Sequence, residues 1–178
     1  MLQTSNAAAL ATAQPVAVVP QFTAREFRNA MGQFATGVVV ISTEIDGEPH
    51  AMTANAFMSG SLEPPLVLVS VACTARMHEK IGRARTFGVS VLAHVQDHVS
   101  QHFAGKPSEQ YAPAFERLDE LPVIEGAAVQ LAAELRHAYP CGDHTLFVGE
   151  VKALMTAADA SAPLLFHAGR YGRIADAN

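Results

Sequence analysis

The chain has 178 residues and a formal net charge of −5, with 49% hydrophobic and 16% charged residues. A chain of this length fits one domain and buries roughly 70% of its unfolded surface without covalent staples; this composition argues against disorder. The acidic balance argues against nucleic acid as a partner, and no apolar run reaches the ~18 residues of a membrane span.

Residues 1–20 are rich in alanine but lack a basic segment at their start and contain Gln and Pro. They read as a flexible arm rather than a secretory signal, leaving 21–178 as the single folded domain. Thr23 with Glu26 forms a capping box that opens a helix over 24–34. Phe27, Ala30, Met31 and Phe34 recur at helical spacing, so the helix is expected to pack one face, and Gly37 is expected to end it. The β-branched run at 38–43 predicts a buried strand. Asp46-Gly47 predicts a hairpin turn. The chain then runs extended over 50–61, loops at Glu63-Pro64-Pro65 and enters a second buried strand at 66–71.

A short helix is expected at 76–85, a strand at 86–92, a helix at 96–103 and a loop from there to about residue 117. Strands follow at 128–138, 145–155 and 164–166. Six or more strands with only short helices point to a mainly β fold with short helices, a β-barrel with helical additions. No internal repeat or domain boundary appears after residue 20.

Four clusters could carry chemistry. The first is Thr53-Ala54-Asn55-Ala56-Phe57 with Ser59-Gly60-Ser61, small polar residues between two strongly apolar runs. Such residues let a flat redox cofactor approach the backbone, and Ser-Gly-Ser offers hydroxyls and N–H groups to a phosphate. A solvated edge strand with a Ser/Gly turn is the plainer reading. The second is Thr36-Gly37, either flanking that ligand or acting as a simple helix stop. The third is Arg76, Lys80 and Arg83, which share a helical face suited to a pyrophosphate or merely solvated. Arg76 stands at the helix start, where free N–H groups favour anions. The fourth is Gly142-Asp143-His144, where Asp143 can orient the imidazole of a histidine at a strand entrance.

Other features are less productive. His94 and His98 are four residues apart but lack a convincing third ligand, so no metal is expected. No Gly-x-Gly-x-x-Gly or Walker sequence is present. The two cysteines, Cys73 and Cys141, show no Cys-x-x-Cys spacing, which argues against a cysteine-based zinc site. Two thiols fit a reducing cytoplasm, with one disulfide as the alternative.

Taken in order, the stretches 27–43 (FRNAMGQFATGVVVIST), 50–71 (HAMTANAFMSGSLEPPLVLVSV), 86–92 (TFGVSVL), 142–151 (GDHTLFVGEV) and 163–171 (PLLFHAGRY) resemble the short-chain flavin reductases. These are the reductase components of two-component flavin-dependent monooxygenases. The segments 76–79 and 87–90 look most like reductases that serve styrene-type epoxidases. The resemblance implies an FMN-binding split β-barrel of Greek-key type, usually a homodimer with flavin near the dimer interface. It implies an NADH-dependent enzyme, with NADPH as the other option, that reduces FMN or FAD and releases it to an oxygenase. A non-catalytic flavin-binding or flavin-storage protein on the same barrel is the alternative.

Carried over residue by residue, the resemblance puts Thr53, Ala54, Asn55 and Ala56 against the flavin ring. It puts Ser59 and Ser61 along the ribityl and phosphate. Thr36 and Gly37 approach from the helix end, and Arg76, Phe103 and Ala104 close the phosphate or adenine side. Gly142, Asp143 and His144, with Tyr171, belong to the nicotinamide nucleotide. His144 orients it or helps the proton balance. Many relatives carry Asn where this chain has Ser90, and residues 138–141 match no family pattern.

Overall fold

A computed structural model describes residues 21–108, 111–158 and 162–174, so the expected arm at 1–20 lies outside the described residues. In chain order the elements are α1 (Ala24–Met31), β1 (Thr36–Gly37), β2 (Val39–Ile45), β3 (Glu48–Ala54), β4 (Phe57–Leu62), β5 (Pro65–Ala72), α2 (Arg76–Ala84) and β6 (Thr86–Val91). There follow α3 (Asp97–Phe103), β7 (Phe115–Leu118), β8 (Leu121–Ile124), β9 (Val129–Cys141), β10 (His144–Thr156), β11 (Leu165–His167) and β12 (Arg170–Gly172).

Seven strands form one sheet in the order β3-β2-β6-β9-β10-β5-β4. Every neighbouring pair in it is antiparallel. The edge strands β3 and β4 stand at opposite ends of this order, yet only Asn55 and Ala56 separate them in sequence. One apolar cluster reconciles these facts: Ile41, Met52, Phe57, Val69, Val89, Leu131 and Phe147 represent all seven strands in a single core. The sheet therefore rolls on itself into a split barrel, and the chain crosses the split at Asn55-Ala56. Met77 and Ile81 of α2 belong to the same core. Each such side chain, fully buried, contributes about 1.5–3 kcal/mol.

Strand β2 explains its own composition. Val39 and Ile41 face the barrel core, while Val38 and Val40 face a second cluster with Leu92, Val99, Ile124 and Leu164. A strand covered on both faces gains from bulky residues at every position. The polar residues in this region are satisfied: Ser42 donates to the Pro122 carbonyl and Thr43 to that of Thr86. Close packing also accounts for one glycine. A Cβ on Gly149 would fall 2.5 Å from Phe87 Cζ and 3.0 Å from Ala133 Cβ, so the Phe87 ring lies directly on the β10 backbone.

Several expectations are met and several are corrected. The capping box is present, with Glu26 N–H donating to Thr23 Oγ1 and Thr23 N–H to Glu26 Oε2. Asp46 and Gly47 both take positive φ, as a type I′ hairpin requires. Helix α1 stops at Gly32, however, and Gly37 lies in β1 beside Leu165. Among the described residues nothing buries its apolar face: no α1 residue is buried, and Phe27 and Met31 of α1 and Phe34 just beyond it are all more than half exposed. The extended run over 50–61 proves to be two strands on opposite sheet edges. Pro65 opens β5 rather than lying in a loop.

The expected loop to residue 117 already contains the start of β7, and the β7–β8 hairpin follows. In β4, Gly60 is a bulge between Ser59, paired with Val67, and Ser61, paired with Leu66. A Cβ there would fall 2.2 Å from Leu68 Cδ1.

Candidate functional site

The free edge strand β3 and the crossing after it form one wall along which three hollows follow in order. His50, Ala51 and Met52 line a 380 Å³ cleft with Arg76, Met77, Lys80 and Phe103. Thr53, Ala54 and Asn55 line a 160 Å³ cleft with Val38, Ser100, Ala104, Phe166 and Tyr171. Asn55, Ala56, Phe57 and Met58 line an 860 Å³ groove with Met31, Phe34, Thr36, Leu68, Ser70 and Leu146. Asn55 belongs to both of the last two. The wall grades from cationic through small and polar to apolar, the order of chemistry along a flavin nucleotide read from phosphate to ring.

The polar clefts are built rather than incidental. Thr53 Oγ1 donates to the Ser100 carbonyl at 2.7 Å, and Ser100 Oγ shares a 2.8 Å hydrogen bond with the Tyr171 hydroxyl. These bonds tie β3, α3 and β12 together around the middle cleft. In the first cleft, Arg76 and Lys80 make no ion pair among the described residues, whereas Arg83 on the same helix is bound to Asp46 at 2.9 Å. The predicted basic face thus separates into two free cations at the cleft and one withdrawn to structural work.

The hairpin between β9 and β10 turns through Gly142, whose φ of +61° suits the first central position of a two-residue turn. His144 opens β10. Its Nδ1 and Asp143 Oδ1 are 2.7 Å apart, an N–H donating to a carboxylate. That hydrogen bond, with the attraction of the imidazole, holds the Asp143 carboxyl below its ordinary range. The imidazole is thereby oriented with Nε2 left for a ligand. The turn is anchored by Cys73 N–H, which donates to the Asp143 carbonyl at 2.9 Å.

Strand register connects this hairpin to the groove. Ser70 lies opposite Leu146, and Leu146 opposite Tyr139. Ser70 N–H donates to the Ala56 carbonyl. Ala56 at the crossing and Ser70, Leu146 and Tyr139 on β5, β10 and β9 therefore follow one another in a line. The neighbouring line carries Ala72, His144 and Cys141. Directly paired residues share a sheet face, so His144 stands on the same outer face as the groove, one line beyond it.

The structure thus gathers Thr36, Thr53, Ala54, Asn55, Ala56, Arg76, Phe103, Ala104 and Tyr171 along one wall. Gly37 sits between two lining residues, Thr36 and Val38. Gly142, Asp143 and His144 lie on the same outer face but line none of the three hollows, and neither do Ser59 and Ser61, which flank the β4 bulge. Sequence reasoning missed His50, Ser70, Ser100, Leu146 and Phe166. Only His50 and Ser70 carried a signal, as polar residues bounding the small-residue segment.

Comparison with known proteins decides what this wall belongs to. Residues 31–175 match the flavin reductase like domain. The chain is a member of the flavin reductase family. An NADH-dependent flavin reductase of Rhodococcus sp is 44% identical over 85% of this chain and 87% of its own length. The NADH-dependent flavin reductase StyB of Pseudomonas fluorescens is 42% identical, over 82% and 86% respectively. Among solved structures, flavin reductase PheA2 in its native state superposes with a TM-score of 0.83 at 46% identity, covering 87% of this chain and all (100%) of that one.

The residues present fit a flavin. Thr36 Oγ1, a groove-lining hydroxyl, is buried without a hydrogen-bond partner. An unsatisfied buried hydroxyl is costly, and a ring edge carrying donors and acceptors would satisfy it. The Ser90 departure from the reductase family is absorbed structurally: Ser90 is fully buried and its Oγ accepts the Ile124 N–H at 2.9 Å.

Proposed function

We propose that this protein oxidises NADH, reduces FMN or FAD, and releases the reduced flavin to a separate flavin-dependent oxygenase. The observation that carries the reading is the graded wall along β3, in a chain of this family, with an oriented histidine on the same outer face. Hydride transfer is chemistry the two nucleotides supply when bound. The protein positions them. Thr53, Ala54, Asn55 and Ala56 hold the ring edge, with Thr36 and Gly37 across from them. Thr53 and Ser100 in the middle cleft flank the ribityl chain, whereas Ser59 and Ser61 lie beyond the groove on β4. Arg76, beside Lys80 and His50, takes phosphate, and Phe103 and Ala104 close that side. His144, set by Asp143 on the Gly142 turn, orients the nicotinamide nucleotide, with Tyr171 near the ring. Phe34, Met58 and Leu146 give the groove an apolar lining beside the reacting faces. A wall of small residues and backbone holds a flavin without trapping it, which suits a diffusing product.

Oxidation of NADH and NADPH, measured on purified protein with FMN, FAD and riboflavin as acceptors, tests the activity and both specificities. Flavin uptake without NADH oxidation would instead identify a storage protein. In the same reading, Asn55→Leu removes a polar contact shared by two hollows, and we expect flavin affinity to fall about tenfold. A dissociation constant that stays put would show that Asn55 is no part of the cradle.

The functional unit is a homodimer. Helix α1 and the turn after it present Phe27, Met31 and Phe34 to solvent beside the apolar groove, and an exposed apolar surface of this kind marks an interface. Phe34→Glu should shift the protein from dimer to monomer in sedimentation. A wild-type monomer at micromolar concentration would remove the basis for this assignment. Free Cys73 and Cys141 fit the reducing cytoplasm expected for this chain, and no described helix is long and apolar enough to cross a membrane.

A further inference from the structure

We propose that Ser100 is a positioning residue for flavin reduction: it latches Tyr171 against α3 and thereby sets the spacing between the two walls of the middle cleft. The inference rests on the reading that this cleft belongs to the reductase site. It gives a role to a residue that the sequence did not single out.

Three observations carry it. First, the cleft is walled by two different sheets. Thr53 and Ala54 end β3 of the barrel sheet, whereas Phe166 and Tyr171 come from a separate three-stranded sheet ordered β1-β11-β12. In that small sheet Thr36 lies opposite Phe166, and Phe166 opposite Tyr171, so the three share one face. Strand β12 is its outer strand and pairs with β11 alone. Second, Ser100 joins the two walls. Its Oγ shares a 2.8 Å hydrogen bond with the Tyr171 hydroxyl, and its carbonyl accepts from Thr53 Oγ1 at 2.7 Å. Among the described residues, no other side chain of β11 or β12 makes a hydrogen bond, so this one fastens the outer strand of the small sheet to α3.

Third, the hydroxyl does nothing for the helix that carries it. Ser100 is fully buried within α3, where alanine favours the helix more and a buried hydroxyl is costly unless it is bonded. Its bond goes to Tyr171. That bond fixes the tyrosine ring, which packs edge-on to Phe166 at 5.5 Å and 61°. Without it the tyrosine wall is free to shift, and a displacement of about 1 Å is enough to slow a reaction that needs two rings in register.

The test is single-turnover reduction of the flavin-loaded protein by saturating NADH, with flavin affinity and the urea midpoint measured beside it. Ser100→Ala frees the Tyr171 hydroxyl but keeps the backbone carbonyl that holds Thr53. The rate constant should fall about tenfold, with the flavin dissociation constant within about twofold of wild type. Tyr171→Phe removes the same bond from the other side and keeps the ring, so it should act alike, and the double variant should be no slower than either single one. An unchanged rate in Ser100→Ala overturns the proposal. Losses that multiply in the double variant also overturn it, because the two groups would then act separately. So does a drop in flavin affinity or urea midpoint large enough to explain the slower rate, because Ser100 would then only support the fold. Wild-type protein that takes up flavin without oxidising NADH would overturn the reductase reading itself, and this inference with it.

Discussion

In steady-state assays, His144→Ala is expected to lower kcat for NADH-dependent flavin reduction about a hundredfold while leaving flavin affinity within about twofold of wild type. The separation follows from where the parts sit. The hollows assigned to flavin are walled by β3, the crossing at Asn55-Ala56, α2, α3 and, in the groove, Ser70 of β5 and Leu146 of β10, whereas His144 lines none of them and is bound to its own neighbour, Asp143. Its loss therefore removes a group that orients the hydride donor without touching the acceptor's cradle. Misplacing a reacting ring by about 1 Å is enough for an effect of this size. Single-turnover mixing of NADH with the flavin-loaded protein reads the step directly. Unaltered rates in that experiment would rule out the assigned role, and a parallel loss of flavin affinity would show that the hairpin supports the cradle instead.

The second large effect concerns the barrel. Phe87→Ala should cost about 3–5 kcal/mol, since Phe87 is fully buried where β6, β9 and β10 meet. Gly149→Ala should cost about 1–3 kcal/mol by pushing a methyl group into the same ring. The two are predicted not to add. With the ring gone, the new Cβ at 149 enters vacated space, so the double variant should be more stable than the sum of the single losses implies. Urea unfolding checks this through the midpoint at constant m-value. Strict additivity would mean that the Phe87–Gly149 contact is not what fixes the glycine.

The sequence was most informative where physics is local or uniform. The Thr23–Glu26 box, the Asp46-Gly47 turn and the apolar run 38–41 that opens β2 each carry their cause in a few adjacent residues. The resemblance of five ordered segments then supplied the split-barrel fold and a set of candidate flavin residues, and the structure gathers most of those residues on one wall. Long-range pairing was not legible. Nothing between residues 50 and 61 announces that the chain leaves one sheet edge at Asn55 and joins the opposite one at Phe57, because both halves are extended. The β7–β8 turn escaped notice because Asp119 and Glu120 adopt positive φ without the glycine that normally marks such a turn. The periodicity of α1 was read correctly, but no described residue buries its apolar face. Ser100 is a hydroxyl inside a short helix and looks ordinary until Tyr171 is brought to it from another element.

The bulge at Gly60 has a consequence for behaviour in solution. A split barrel, unlike a closed one, leaves two strand edges with free backbone groups, and a straight free edge invites pairing with other chains. On β4 the ladder is interrupted at Gly60, where the Leu68 side chain occupies the space a Cβ would need, and such a bulge twists the edge out of register for a neighbour. Pro49 stands near the start of β3 and withholds a donor there. The split of the barrel is thus kept from serving as a template for edge-to-edge pairing.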